Sequence, residues 1–217
     1  MFVLEEIYKS KKAENSDQFN LRIHRGLSWF KKAILLNDDL DLQLISLWIS
    51  FKAIYAQDVQ NIDFVQDDNT FRGFLSEILQ SDQEHKIDQL IWGKFSQPIT
   101  RMIDSPYVFQ SFWDYQNQKI SQTAWRDAFE KKKNNVYQAI QSKDTFSLLW
   151  IIFNRLDVAQ NQILKGGATY NSVLNREQLQ DICSVFSAIL SAFIYILLEN
   201  PNIFNLTKPF YPMQQMS

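Results

Sequence analysis

The chain carries one cysteine, two histidines, five glycines and five prolines in 217 residues, and each shortage closes a class of protein. A lone Cys183 leaves no intrachain disulfide and no Cys-rich zinc site, and its place in the apolar run Ile182–Phe186 predicts a buried, unreactive thiol. With His24 and His85 as the only imidazoles, a zinc hydrolase lacks its usual ligands. So few glycines and prolines cannot supply the turns of an all-β protein, which predicts long helices with few breaks. There is no Gly-rich phosphate loop and no nucleophile elbow. Basic and acidic residues nearly balance, 22 against 24, so any RNA contact has to come from a local patch rather than from net charge. The longest apolar stretch, Val185–Leu198, is interrupted by Ser187 and Ser191 and falls short of the roughly 20 residues of a membrane span. The N-terminus, MFVLEEIYKSKK, sets acidic residues ahead of basic ones and has no cleavable apolar core. Together these predict a soluble, cytoplasmic chain with no membrane contact and no cofactor.

What is abundant is apolar and aromatic: 46% hydrophobic residues, with 17 Phe, 8 Tyr and 6 Trp. Leu21, Leu27, Phe30 and Ile34 give helical spacing over Asp17–Leu36. Asn37-Asp38-Asp39 ends that helix and caps a second, Leu40–Ala56, with Leu44, Leu47, Trp48, Phe51, Ile54 and Tyr55 on a broad apolar face. A polar link over Gln57–Asn69 precedes shorter helices at Thr70–Leu79 and Gln83–Phe95. The aromatic-rich segment Ser96–Lys119, containing Pro98 and Pro106, reads as one or two short helices forming a satellite core. A long helix over Gln122–Gln141 carries Lys131-Lys132-Lys133, a solvated face. The last two helices are Asp144–Lys165, closed by Gly166-Gly167, and one opening at Asn175, where Asn175 and Gln178 resemble a capping box, and stopped by Pro201. Asp38-Asp39-Asp41 and Asp67-Asp68 read as helix caps rather than metal ligands. A surface tail covers the remaining residues, 202–217.

On the helix before the double glycine, Asn154, Asp157, Asn161 and Lys165 fall at offsets of three, four and four and share one face. Gln160 lies with Phe153, Leu156 and Ile163 at the edge of the apolar face. Taken alone, such a polar strip is an ordinary solvent-facing stripe.

The run Arg155–Gln178, RLDVAQNQILKGGATYNSVLNREQ, combines Asn161-Gln162, the double glycine, Ala168-Thr169-Tyr170-Asn171-Ser172 and Asn175-Arg176. It resembles the HEPN family of all-α domains, many of which are metal-independent ribonucleases with an Arg, four to six intervening residues and a His. IHRGLSWFKKA and LISLWISFKAIYA are similar to the N-terminal helices of the same defence-associated branch. The resemblance is best over 154–200 and good over 20–56. It implies a single all-α domain over 1–217, a HEPN-like up-and-down bundle of long helices with additional short ones and a tail at 201–217. In this frame Gln160 stands at the Arg position, Lys165 at the His position, and Lys52 where relatives tend to carry Asn. Neither His24 nor His85 has an Arg four to six residues ahead of it.

By that resemblance the His moves a proton during attack of the ribose 2′-hydroxyl and the Arg steadies the phosphorane. Gln160 has no charge for the second task. A lysine at a helix C-terminus keeps its proton, so Lys165 can hold phosphate but cannot act as a base. No catalytic residue is therefore assigned. The implied ligand surface is Asn154, Asp157, Gln160, Asn161 and Lys165, with Lys52 as a second cation. The expected function is a degenerate HEPN domain acting as a non-catalytic RNA- or nucleotide-binding or regulatory module, in a bacterial defence or toxin–antitoxin setting. Two alternatives stand beside it: a metal-independent endoribonuclease with an altered site, and a structural subunit pairing with an active HEPN partner. A homodimer is the expected assembly, because HEPN relatives pair through the motif helices and the aromatic excess implies exposed apolar surface.

Overall fold

A computed structural model describes residues 2–55, 68–173 and 175–201. Among them all regular structure is helical, as the scarcity of turn residues predicts. In chain order the helices are α1 (Phe2–Lys11), α2 (Asp17–Leu35), α3 (Leu40–Tyr55), α4 (Asp68–Ser81), α5 (Lys86–Asp88), α6 (Ser96–Asp104), α7 (Gln110–Gln116), α8 (Gln122–Gln141), α9 (Thr145–Leu164) and α10 (Arg176–Glu199). Short 3-10 turns stand at Lys12–Glu14 and Pro106–Val108, and a π turn at Gln89–Lys94. Ala56, residues 57–67 of the expected link, Asp67 among them, and the tail over 202–217 lie outside the described residues, while Asp68 and Asn69, expected in the link, already belong to α4.

Two differences from the expected helices have local causes. Leu4 and Tyr8 are buried and stand four residues apart, so α1 forms although its charged neighbours hide the pattern in the sequence. The expected helix over Gln83–Phe95 begins only at Lys86, after His85 takes a left-handed φ of 52°. It then widens where the Phe95 amide reaches back to the Leu90 carbonyl, 2.9 Å away, an i to i+5 bond. The segment Ser96–Lys119 does hold two short helices, α6 and α7.

The chain divides into two compact units, residues 1–84 with 187–217, and residues 85–186. In the first, α2 and α3 are antiparallel and approach closely at Gly26. The Ser50 hydroxyl donates to the Gly26 carbonyl at 2.7 Å, and the Gln43 amide to the Ala33 carbonyl at 3.1 Å. Phe51, Tyr55, Phe71, Phe74 and Phe193 form the aromatic centre, with Phe51 stacked on Tyr55 at 5.3 Å and Phe74 edge-on to Phe193 at 5.8 Å. Lys11 meets Glu199 at 2.8 Å and donates to the Leu198 carbonyl, a cation at the negative end of α10. Helix α10 is long and apolar enough to cross a membrane by length and composition, yet 72% of that window is buried inside the protein, as in a core helix.

In the second unit, Phe153 meets Phe186 edge-on at 5.9 Å, and Arg101 forms a two-bonded pair with Asp181 at 2.7 Å. The N-terminus of α9 is held by Asp144, which accepts from the Ser147 amide at 3.0 Å. Hydrogen bonds from Ser147, side chain first and backbone second, keep the Asp144 carboxyl below the usual carboxylate range. Trp92 donates to Thr145 at 2.9 Å, and Thr145 in turn donates to Asp88.

Glycine scarcity shows at the helix ends. Gln118, Lys143 and Gly166 all take left-handed φ values, 59°, 52° and 72°. Each sits in a Schellman closure, with paired bonds such as Lys143 N–H to Ile140 O and Asp144 N–H to Ala139 O. Only the last of the three uses glycine. The Lys143 backbone costs on the order of 1 kcal/mol for a side chain it does not need, so Lys143→Gly is expected to stabilise the protein by about 0.5–1 kcal/mol in a urea titration. Gly26 gives the opposite case. A Cβ there would lie 2.5 Å from Ile54 Cγ2, on a stiff β-branched side chain. Gly26→Ala therefore loses about 1–2 kcal/mol net, because overpacking outweighs the better helix propensity.

Candidate functional site

Helix α9 carries the candidate residues, and the structure sorts them by depth. Asn154 turns back on its own helix, its amide donating to the Trp150 carbonyl at 2.7 Å. Asp157 is buried, and its two carboxylate oxygens take separate amide donors: Gln160 Nε2 at 3.1 Å and Asn161 Nδ2 at 3.1 Å. Gln160 is only 4% exposed, and its Oε1 has no hydrogen-bond partner. Asn161 is half-buried, and Lys165 is exposed at the C-cap. The strip is thus not a uniform solvent-facing stripe. It grades from a buried carboxylate–amide cluster at Asp157 to a solvated cation at Lys165. Lys52 belongs to the other compact unit, half-buried on α3 with its ammonium 5.6 Å from the Tyr55 ring centre.

The end of α9 is built as the double glycine implies. Gly166 N–H bonds to Ile163 O at 3.1 Å and Gly167 N–H to Gln162 O at 2.7 Å, the two bonds of the Schellman closure. A Cβ on Gly167 would stand 3.2 Å from Gln162 O, so the second glycine permits the close approach. The loop beyond is closed by Ser172 N–H on Thr169 O at 3.2 Å and by the Arg176 guanidinium on the Ser172 carbonyl. Asn175 takes a left-handed φ of 60° rather than the extended conformation of an N-cap, so the expected capping box does not form. Gln178, its intended partner, keeps a buried Nε2 without an acceptor.

Elsewhere, His24 is exposed, its ring centre 6.3 Å from that of Tyr8, and His85 is exposed, 3.7 Å from Asp88. Among the described residues no group of three His, Cys, Asp or Glu side chains gathers to hold a metal ion. Cys183 is buried.

One residue given no role in the sequence reading organises this unit. Arg155 is 4% exposed and donates to the Val108 carbonyl at 3.2 Å and the Ile103 carbonyl at 3.4 Å. Its guanidinium carbon lies 4.7 Å from the Phe109 ring centre and 5.8 Å from that of Phe129. Burial pushes its pKa down to about 10, against the opposing charge of Asp104, so it remains a cation at neutral pH. Asp104 in turn pairs with Lys133 at 3.0 Å, which gives one member of the lysine run a structural partner. The available signal was an arginine among Ile152, Phe153 and Leu156, opposite a segment rich in Phe and Tyr.

Compared with family models, curated proteins and solved structures, the chain has no match.

Removing Arg155 leaves two buried carbonyls without donors and opens a cavity between two rings. Arg155→Ala is expected to cost about 3–5 kcal/mol, and Arg155→Lys about 1–3 kcal/mol, because an ammonium cannot span both carbonyls or stack as a plane. Urea unfolding followed by tryptophan fluorescence checks both, since Trp113 and Trp125 each pack on Phe112, and Trp125 also on Phe129, beside the guanidinium. Losses under about 1 kcal/mol for the alanine variant would show that the guanidinium is not needed.

Proposed function

We propose that this chain is a HEPN-like domain whose nuclease site has degenerated, and that it acts as a non-catalytic RNA- or nucleotide-binding or regulatory module. One observation carries the reading. The frame from position 160 to 165 and its Gly166-Gly167 closure are intact, yet Gln160 is turned inward onto Asp157 while Lys165 stands in solvent. An uncharged, buried amide cannot stabilise a phosphorane, and a solvated lysine holds an anion without serving as a base. The arrangement favours binding over turnover. The setting in bacterial defence or toxin–antitoxin systems comes from the resemblance alone.

A second reading, a structural subunit pairing with an active HEPN partner, is favoured by the apolar residues exposed along the end of α9 and the loop after it: Leu164, Tyr170 and Val173. Copurification with a catalytically complete relative, and no RNA affinity of its own, would select it.

The test compares wild type with the double variant Gln160→Arg, Lys165→His on structured and single-stranded RNA in EDTA. Wild type is expected to bind and not to cleave. The variant returns a cation and a group titrating near neutral pH, and the carboxylate of Asp157 is already in place to accept the new guanidinium. Cleavage above the wild-type background is expected. For wild type, Lys165→Ala should weaken RNA binding and lower the salt dependence by about one unit of log–log slope, as loss of one phosphate contact does. Clear cleavage by wild type would overturn the degenerate-site reading, and an unchanged affinity in Lys165→Ala would remove Lys165 from the binding surface.

A further inference from the structure

Each residue of the 3-10 turn between α6 and α7 has its backbone held. Pro106 fixes its own φ, and the Phe109 amide closes the turn on the Pro106 carbonyl at 3.0 Å. The Val108 carbonyl accepts from the buried Arg155, and the Val108 side chain is itself buried. The Tyr107 carbonyl accepts twice, from Trp113 Nε1 at 2.7 Å and from Gln162 Nε2 at 2.6 Å. All of these bonds fix the backbone, and none of them uses the Tyr107 ring. That ring meets Phe112 edge to face at 5.5 Å and stays 42% exposed. A locked turn thus presents one aromatic side chain to solvent, with little conformational freedom left to lose on contact with a ligand.

The Gln162 bond also ties that turn to the end of α9, within the same compact unit. Lys165 follows Gln162 by three residues, and its amide is still bonded to the Asn161 carbonyl at 2.9 Å, so the two side chains are neighbours on the last turn of the helix. Lys165 is exposed, and its ammonium is a point charge on a flexible stem. An aromatic ring and a cation on adjoining ground match the two parts of an unpaired nucleotide, its base and its phosphate. They do not match a duplex, whose bases are stacked on one another and offer no face to a side chain. We propose that Tyr107 is a base-stacking residue and that the module selects single-stranded RNA, an unpaired base lying on Tyr107 while Lys165 holds a neighbouring phosphate. This rests on the RNA-binding reading of Lys165, and adds to it a residue outside α9 and a preference for unpaired strands.

Fluorescence anisotropy of the full chain with a short labelled oligoadenylate tests the proposal. Wild type is expected to bind the single strand more tightly than the same strand annealed to oligouridylate. Tyr107→Ala should weaken single-strand binding by between about fivefold and about a hundredfold, the worth of one stacked base. Tyr107→Phe keeps the ring and should stay within about twofold of wild type. Salt separates the two kinds of contact: Tyr107→Ala should leave the log–log slope unchanged, whereas Lys165→Ala lowers it. An abasic strand of the same length, with every phosphate and no base, should bind wild type and Tyr107→Ala alike. Should Tyr107→Ala lose its helical circular dichroism, Tyr107→Leu, which keeps an apolar contact to Phe112 without an aromatic face, is read in its place. Salt-dependent binding that is the same in the ring-less variant as in wild type overturns the stacking role and leaves the Lys165 reading standing. Equal affinity for strand and duplex, or an equal loss on the abasic strand, does the same. No RNA affinity in wild type overturns both.

Discussion

A guanidinium taken out of water must find acceptors for a rigid fork of donors, and it keeps its charge while doing so. Arg155 imposes that demand on the unit formed by residues 85–186. The α6 carbonyl at Ile103 and the 3-10 turn carbonyl at Val108 both accept from it. The chain therefore cannot pass from α6 to α7 along any route that turns these carbonyls away. The negative ends of two short helical segments converge on one cation, which suits their dipoles as well as their hydrogen bonds. Phe109 and Phe129 complete the enclosure through ring faces, which attract a cation where water is absent. The aromatic density of Ser96–Lys119 is thus explained by more than hydrophobic filling.

The other unit rests on the absence of a side chain. Gly26 lets α2 approach α3 until Ile54 Cγ2 stands 2.5 Å from where a Cβ would be. That proximity is what allows Ser50 and Gln43 to reach α2 carbonyls already engaged in the helix. Burying Ser50 completely is tolerable because its hydroxyl has that acceptor. A glycine inside a helix ordinarily costs about 1 kcal/mol, and here the close packing offsets it. The same economy fails at helix ends, where Gln118 and Lys143 occupy left-handed positions that glycine would fill without strain.

Much of this was legible in the sequence, and the boundary between what was and was not is physical. The apolar spacings over 17–36, 40–56, 122–141 and 144–165 located α2, α3, α8 and α9 to within about a residue, because amphipathic period and capping residues agree there. Helix α1 was missed because two buried residues, Leu4 and Tyr8, are outnumbered by charges. The start of α5 was misplaced because no local rule requires His85 to take a left-handed conformation. At the site, the α9 face was readable from offsets, but depth was not. Periodicity gives direction around a helix and says nothing of what packs above it, so Gln160 was placed at the edge of the apolar face while the burial of Asp157 had no sequence signal. Arg155 was overlooked for a related reason, since its acceptors are backbone carbonyls, which carry no residue identity.

The inward turn of Gln160 bears on the degenerate-site reading proposed above. An arginine at position 160 would be a cation beside Asp157, its charge partly spent on the carboxylate and partly available to a ligand. Glutamine keeps the hydrogen bond to Asp157 and removes the charge. On the proposed reading, glutamine at this position preserves local packing and offers no charge to a phosphorane, apart from leaving one unsatisfied acceptor, Gln160 Oε1. A buried acceptor without a donor costs on the order of 1–3 kcal/mol, so the position is not optimised for glutamine in isolation. Lys165 lies outside this constraint. It is exposed, sits where the Schellman closure presents it to solvent, and is needed by no packing contact. At the first position packing limits which residues the fold accepts, and at the second, exposed position it does not. On the reading proposed above, anion binding by an exposed Lys165 does not depend on what the buried position 160 carries.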